Sequence, residues 1–188
     1  MWFFTAPDGR QLSTGVSDPN DAAGASAARE RLLDRAFGKT RRRKTSERIR
    51  EGRLPSDGLA FTAVDAKGKL VGTIRLWDVV AGSAGRALLL GPLAVDCKQQ
   101  GKGIGAALMR HAMAEAKMLG HSAIILVGDA PYYARFGFNG GLVADLHLPG
   151  PVDRARFLGI ELIPGALDGA EGLVAGCGRL EALQQEAA

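Results

Sequence analysis

A short glycine-rich segment, QGKGIGA at residues 100–106, is the part of the chain best suited to hold an anion. Its glycines allow a tight backbone turn and leave no Cβ between the amide groups and a ligand. The apolar side chains of residues 104–119 recur at helical spacing, so a helix is predicted there, with its free N–H groups and positive dipole end at the segment. Lys102 adds a positive charge. The segment therefore predicts a site for a phosphate or pyrophosphate.

An apolar strand is predicted just before this segment, at residues 87–95, and it contains Gly91 and Pro92. Proline donates no hydrogen bond to a neighbouring strand, so we expect the strand to bend or splay at this point. Backbone groups beyond the break would then be free to bind a ligand, with Leu93 and Val95 as the first candidates.

Two kinds of phosphate loop are compatible with the segment. Read as Gly101-x-Gly103-x-x-Ala106, with Asp129 after the next apolar run, it is a dinucleotide fingerprint, and the protein would be an oxidoreductase that binds NAD(P). In that fingerprint the strand runs directly into the first glycine, whereas here the polar residues 96–100 intervene. The preceding chain also has the pattern of hairpins and not of βαβ repeats. The oxidoreductase alternative is disfavoured but stays open.

Read instead as Gln100-x-x-Gly103-x-Gly105, the segment resembles the acetyl-CoA loop of the GNAT superfamily of N-acetyltransferases. Residues 90–95 resemble the splayed fourth strand of that family, and residues 133–138 match its Y-x-x-x-G-F signature. The three motifs occur in the order and at the spacing of the family. The resemblance is therefore specific.

The resemblance extends over residues 29–167 and is strongest at 88–138. Residues 127–129 and 164–167 look most like the YhbS-like branch of the family. The fold that this implies is α+β, a single GNAT-like domain over residues 1–188. Its sheet would be mixed and mostly antiparallel, with a splayed central pair of parallel strands and helices on both faces.

The reaction implied by the resemblance is transfer of the acetyl group of acetyl-CoA to a primary amine, by direct attack in a ternary complex. Tyr133 is at the family's position for the general acid, and a phenol of pKa ~10 is protonated at neutral pH and can donate to the leaving thiolate. The alternative is that Tyr133 only packs against the cofactor or hydrogen-bonds its sulfur. The backbone N–H of Leu93 is our candidate for stabilising the charge that develops on the thioester carbonyl.

The residues expected to bind acetyl-CoA come from the strand, the glycine segment and the tyrosine motif. They are Leu93, Ala94, Val95, Gln100, Gly101, Lys102, Gly103, Ile104, Gly105, Ala106, Tyr132, Tyr133 and Phe136. Because His121 and His147 have no second ligand at metal spacing, we predict no metal.

The attacking amine must lose a proton, and its acceptor is not evident. The predicted central strand carries no Asp or Glu. Asp129, at the end of the next strand, Glu47 and a chain of waters are the candidates. The alternative function is therefore a catalytically weak acyl-CoA-binding sensor or interaction protein.

The rest of the chain must supply the other strands of the sheet and the helices that pack on its faces. We predict strands at 11–16, 59–65, 70–80 and 122–127, and a turn and helix start at 17–21. Helices are predicted at 22–37, at 40–51 with its beginning near Thr45 and Ser46, and at 132–136, and a closing hairpin is predicted of 138–148 with 157–163. In the first helix we expect Leu32, Leu33, Ala36 and Phe37 to face the core. This antiparallel order argues for α+β and against a doubly wound fold.

The charge of the chain is local. Of 188 residues, 46% are hydrophobic and 23% charged, as expected for one globular domain with a full core. The net charge is +4, yet residues 39–53 hold eight basic and two acidic side chains, a local +6 that leaves −2 for the remainder. We expect a mostly solvated helix there, or a basic wall beside an acidic acceptor or the cofactor phosphates. The absence of interleaved aromatic residues argues against nucleic-acid binding.

No apolar run approaches the ~20 residues that a membrane-spanning helix needs, and the first residues lack the pattern of a signal peptide. Cys97 and Cys177 form no ligand or redox motif. We therefore expect a cytoplasmic protein with no membrane contact. The oligomeric state is open, a homodimer included. Residues 1–9 and 169–188 are predicted to be loosely ordered.

Overall fold

The computed structural model describes residues 2–5, 11–16 and 23–181, with side-chain detail from residue 26. The predicted turn and helix start at 17–21 lies outside these residues, as does the end of the predicted loose tail, 182–188. None of the described helices is both long and apolar enough to span a membrane.

Ten strands and four α-helices are formed by the described residues. The strands are β1 (Trp2–Thr5), β2 (Gln11–Val16), β3 (Ala60–Val64), β4 (Leu70–Ala81), β5 (Arg86–Leu90), β6 (Ala94–Val95), β7 (Ala123–Val127), β8 (Asp145–His147), β9 (Phe157–Glu161) and β10 (Glu171–Gly176). The helices are α1 (Ala23–Phe37), α2 (Thr45–Arg50), α3 (Ile104–Met118) and α4 (Ala130–Ala134), and a 3₁₀ turn, Lys39–Arg43, precedes α2. The strands predicted at 11–16, 59–65, 70–80 and 122–127 are confirmed, as are the helices at 22–37 and 104–119.

The sheet is mixed, as predicted. Its strand order is β1-β2-β3-β4-β5-β7-β9, and neighbours along this order are antiparallel except for β5 and β7, which are parallel. The long strand β4 also pairs with β6 and β10. The helix between the parallel strands, α3, makes the crossover that a parallel connection requires.

Helices cover both faces of this sheet. Alternate side chains of β5 and β7 point to opposite sides, and both sets are apolar, so each face needs a cover. Leu88 and Ile124 lie in the cluster that α3 completes with Leu108 and other apolar residues. Leu89 and its neighbours on the other face pack with Ile49 of α2. The predicted packing of helices on both faces is confirmed by these two clusters.

The predicted closing hairpin of 138–148 with 157–163 is wrong. β9 pairs with β7, where Phe157 and Leu158 extend the apolar clusters on the two faces. The short strand β8 pairs instead with β10, in parallel. One isolated bridge, Asn139 with Gly159, is all that links the two segments within the described chain. The burial of Phe157 and Leu158 when β9 pairs with the free edge of β7 stabilises this arrangement more than a local hairpin would.

Within the described residues, both ends that were predicted to be loosely ordered contain a strand. Trp2–Thr5 is a strand paired with β2, and the glycine-rich stretch after 169 contains β10. Its Val174 is fully buried, and its backbone bonds to the end of β4. An unpaired edge of β4 orders a segment whose composition alone indicated a loose tail.

The last turns of two helices are more exposed than predicted. Leu32 and Leu33 are buried against Ala94, but Ala36 and Phe37 are exposed because the final turn of α1 extends beyond this contact. Likewise the residue that follows α3, Leu119, is 53% exposed although its spacing placed it on the apolar face.

Candidate active site

The parallel strands separate at the predicted break. β5 pairs with β7 only as far as Leu90, which lies opposite Leu126. After Gly91 and Pro92 the chain continues as β6, which pairs with β4. A gap therefore opens between β6 and the end of β7, and the splayed strand that the sequence predicted is confirmed.

The backbone of β6 directs half of its polar groups into this gap. Ala94 pairs with β4, and the N–H of Asp96 donates to the carbonyl of Val71 at 2.8 Å. Because successive strand residues direct their backbone groups to opposite sides, those of Leu93 and Val95 point away from β4. No backbone carbonyl of the described residues accepts from the N–H of Leu93.

The glycine segment forms the N-terminus of α3. Gly101 and Gly103 have φ of +78° and +80°, a conformation that glycine adopts without strain. Gly103 is the N-cap of α3, and no side chain of the described residues caps the helix. The first intrahelical bond runs from the N–H of Ala107 to the carbonyl of Gly103 at 2.9 Å. The N–H groups of residues 104–106 are thus free to bind an anion at the positive end of the helix.

A cavity of about 590 Å³ connects the gap with the glycine segment. It brings together eleven of the predicted site residues: Leu93, Val95, Gln100, Gly101, Gly103, Ile104, Gly105, Ala106, Asp129, Tyr132 and Tyr133. The three motifs that are separated in the sequence therefore line one space.

The other three predicted cofactor-binding residues do not line this cavity. Ala94 is buried against α1. Lys102 donates from Nζ to Gln99 Oε1 at 3.0 Å. The ring of Phe136 packs against Tyr132, with 5.7 Å between ring centroids.

The helix that carries the tyrosines starts at Ala130, two residues before the predicted start at 132. Asp129 is its N-cap, and its Oδ2 accepts a hydrogen bond from the N–H of Tyr132 at 3.2 Å. This predicted base is therefore also a capping residue. The side chain is exposed at the edge of the cavity.

Both tyrosine rings sit on glycines of neighbouring elements. A Cβ on Gly128 would lie 2.1 Å from Cε2 of Tyr133, so the ring rests directly on the backbone at the end of β7. A Cβ on Gly105 would lie 2.9 Å from the hydroxyl oxygen of Tyr132, which places that hydroxyl over the first turn of α3. Glycine at these two positions is what lets the rings approach.

Burial, which is the largest cause, together with the neighbouring Tyr132 and Asp129 raises the pKa of Tyr133 to about 12, and Arg156 opposes them. A phenol of this pKa stays protonated throughout the neutral range. Burial also raises the pKa of Tyr132. Both hydroxyls are therefore donors at neutral pH.

One side of the basic segment lines this cavity, whereas Arg42, Arg43 and Arg48 are exposed to solvent. Arg41 and Arg50 are only 4% and 8% exposed, and Thr45 and Ile49 are also buried. Arg41, Lys44, Glu47 and Arg50 line the cavity together with the splayed strand.

A network of ion pairs explains why these charges are buried. Arg41 donates from Nε to Asp34 at 3.0 Å and from Nη1 to Glu47 at 3.1 Å, and its Nη2 donates to Glu30. Glu47 also accepts from Nη2 of Arg50. The sequence offered one signal of this arrangement, the spacing of three between Glu47 and Arg50, but the partners on α1 are distant in the sequence.

Comparison with known proteins agrees with this geometry. Residues 56–139 match the family described as the acetyltransferase (GNAT) domain. Over 160 residues, 85% of this chain and 92% of the relative, the chain is 32% identical to the uncharacterized N-acetyltransferase YhbS of Escherichia coli K12. The chain belongs to the GNAT family of N-acetyltransferases. The predicted resemblance, including its YhbS-like character, is confirmed, and the oxidoreductase alternative is wrong.

Two solved GNAT structures have the same fold. The crystal structure of Escherichia coli YhbS in complex with CoA has a TM-score of 0.72 at 28% identity and covers 89% of this chain and 90% of its own. A GNAT family acetyltransferase of Brucella melitensis in complex with acetyl-CoA has a TM-score of 0.64 at 25% identity, with coverages of 88% and 96%.

Proposed function

We propose that the protein transfers the acetyl group of acetyl-CoA to a primary amine, by direct attack in a ternary complex. The observation that carries this proposal is that the strand gap and the uncapped N-terminus of α3 open into one cavity. The N–H groups of residues 104–106 suit the pyrophosphate, and the free backbone groups of Val95 and Leu93 suit the amides of the pantetheine arm. That two related GNAT structures hold CoA or acetyl-CoA supports acetyl-CoA as the cosubstrate here.

Two groups of the chain would stabilise the reacting thioester. The N–H of Leu93, free beside the break, would donate to the carbonyl oxygen as it gains negative charge. Tyr133 would donate to the leaving sulfur as general acid. A pKa of about 12 lies ~3 units above that of a reference thiol, so the donation matters most while the charge on the sulfur develops.

We propose that Asp129 accepts the proton that the attacking amine loses, either directly or through a water molecule. Both oxygens of the other candidate, Glu47, already accept hydrogen bonds from Arg41 and Arg50. Only Oδ2 of Asp129 is engaged, by the N–H of Tyr132, among the described residues.

One observation favours the alternative, a catalytically weak acyl-CoA-binding protein. The strand next to the cavity, Arg86–Leu90, carries no carboxylate, so the base must come from another element. Release of CoA with a panel of amines separates the two functions, because a sensor would bind acetyl-CoA without releasing the thiol.

Calorimetric titration with acetyl-CoA, with NAD as the control, tests the proposal first. We expect binding of acetyl-CoA in the micromolar range, none of NAD, and amine-dependent release of CoA in a thiol assay. Absence of acetyl-CoA binding would overturn the proposed function, and binding with no thiol release across the panel would favour the sensor.

A further inference from the structure

The side chain of Arg50 is fixed at the break in the central strand. A Cβ built on Gly91 would lie 3.2 Å from its Nη1. The guanidinium lies 5.8 Å from the ring centroid of Trp77, whose Nε1 donates to the carbonyl of Gly91 at 2.6 Å. Its Nη2 is held by Glu47. Packing and hydrogen bonds therefore set the direction of a guanidinium that lines the cavity.

Arg50 retains donors without partners, in contrast to Arg41. All three nitrogens of Arg41 donate to carboxylates. Among the described residues, Nε and Nη1 of Arg50 have no hydrogen-bond acceptor, and Glu47 is its one ion-pair partner. A guanidinium that is 8% exposed and only partly paired is costly to bury, so a site of this kind favours an anion.

Its position separates Arg50 from the phosphates of the cosubstrate. Gly91 lies at one end of the path along β6, and the anion site at residues 104–106 lies at the other end. A pantetheine arm that runs from Val95 to Leu93 would bring the thioester to the end where Arg50 lies. An anion bound by Arg50 therefore belongs to the acceptor.

The short distance between Gly91, beside Arg50, and Leu93, beside the thioester, limits the size of this acceptor. Gly91 and Leu93 are two residues apart, so their Cα atoms are separated by at most about 7 Å. An anion held beside Gly91 is therefore only a few bonds away from an amine that attacks a carbonyl held by Leu93.

We propose that Arg50 binds a carboxylate of the acceptor, which makes the acceptor a small amino carboxylic acid. This inference rests on the proposed acetyl transfer. A guanidinium fits a carboxylate with two parallel hydrogen bonds, and it repels the second cation of a diamine or polyamine. Lys44 also carries a positive charge. Its side chain is exposed, and its Nζ lies 5.3 Å from the ring centroid of Phe37.

Bisubstrate analogues test the contact without turnover. CoA is joined through its sulfur and a –CH₂–CO– bridge to the nitrogen of glycine, β-alanine or 4-aminobutyrate, and each compound is paired with its carboxamide. In at least one pair we expect the carboxylate to bind about 10- to 100-fold more tightly than the carboxamide. Equal affinities in all three pairs would overturn the inference, whereas failure to bind acetyl-CoA itself would overturn the proposed function.

A matched pair of variants assigns the preference to Arg50. Arg50→Gln should reduce the carboxylate-to-carboxamide ratio to about 1 by removing this charge-assisted bond. Arg48→Gln makes the same change in net charge at an exposed position of α2 and should keep the ratio. A preference that survives in folded Arg50→Gln overturns the assignment. If Arg50→Gln does not fold, Arg50→Lys must lower the ratio, because it loses the planar pair of donors, and an unchanged ratio is the contrary result.

Discussion

At the scale of single residues, Tyr133 is the side chain whose removal tests the chemistry most directly. Tyr133→Phe keeps the ring on Gly128 and removes the hydroxyl. We expect turnover to fall by about 10- to 1,000-fold with the affinity for acetyl-CoA nearly unchanged, because only the proton donor is lost. Steady-state rates and calorimetry measure the two quantities. An unchanged rate would leave Tyr133 with a packing role only.

The raised pKa of Tyr133 also predicts a pH dependence of stability. Burial favours the protonated phenol, so the folded protein binds this proton up to about pH 12, whereas the unfolded chain releases it near 10. Stability should therefore fall as the pH rises from 10 to 12, by about 2–3 kcal/mol from this group. Urea unfolding at both pH values should show a smaller loss for Tyr133→Phe, and equal losses would contradict the raised pKa.

One pair of substitutions separates the capping role of Asp129 from its proposed role as base. Asparagine caps a helix about as well as aspartate but cannot accept the proton of the amine. We expect Asp129→Asn to keep thermal stability and to lose about 100-fold or more in rate, whereas Asp129→Ala also loses about 1 kcal/mol of stability. A normal rate in Asp129→Asn would exclude this residue as the base and leave a water chain or Glu47.

At the scale of elements, the site depends on how α3 begins. Gly103→Asp would place a carboxylate at the N-cap, where it would bond the free N–H groups itself and repel a phosphate. We expect at least ~100-fold weaker binding of acetyl-CoA by calorimetry. Gly68→Asp is the control, because Gly68 has a similar φ of +75° in the turn between β3 and β4. Equal binding by the two variants would show that α3 does not hold the phosphates.

The elements around the site also show which local sequence patterns were sufficient to predict the structure. A proline in an apolar strand predicted the break, because proline donates no hydrogen bond to a neighbouring strand wherever it lies. Glycines before a helical repeat predicted the loop and α3 for an equally local reason. The hairpin of 138–148 with 157–163 was wrong, because the edge of β7 competes for Phe157–Glu161 and local turn residues carry no information about that edge.

At the scale of the whole molecule, Arg41 connects α1 to the wall of the cavity. Arg41→Gln would leave Glu30, Asp34 and Glu47 close together without their shared cation. Because Arg41 is 5% exposed and its partners 25–40%, we expect a loss of about 2–3 kcal/mol in the free energy of unfolding, less than for a fully buried pair. Arg42→Gln, at a position 65% exposed, should cost at most ~0.5 kcal/mol. Similar losses in urea titrations of both variants would contradict a buried network.

The same network shows why the sequence alone left two interpretations of the basic segment open, a solvated helix and a basic wall. Its composition is compatible with either, and the packing of α1 adds Glu30 and Asp34 to the carboxylate of Glu47 that the segment itself supplies. Thr45 depends on an even more distant partner, since its hydroxyl donates to the carbonyl of Pro151 at 2.7 Å.

The sequence by itself determined the splayed strand, the glycine loop, the helix after it and the tyrosine helix, and through them the family. Each of these is set by residues next to one another in the chain, whose backbone preferences act locally. Only the tertiary structure decided the pairing of β8 with β10, the burial of Arg41 and Arg50, and hence the charge that faces an acceptor. Those outcomes depend on how separate elements pack against one another and on which sheet edges stay free, and the preferences of residues adjacent in the chain do not specify either.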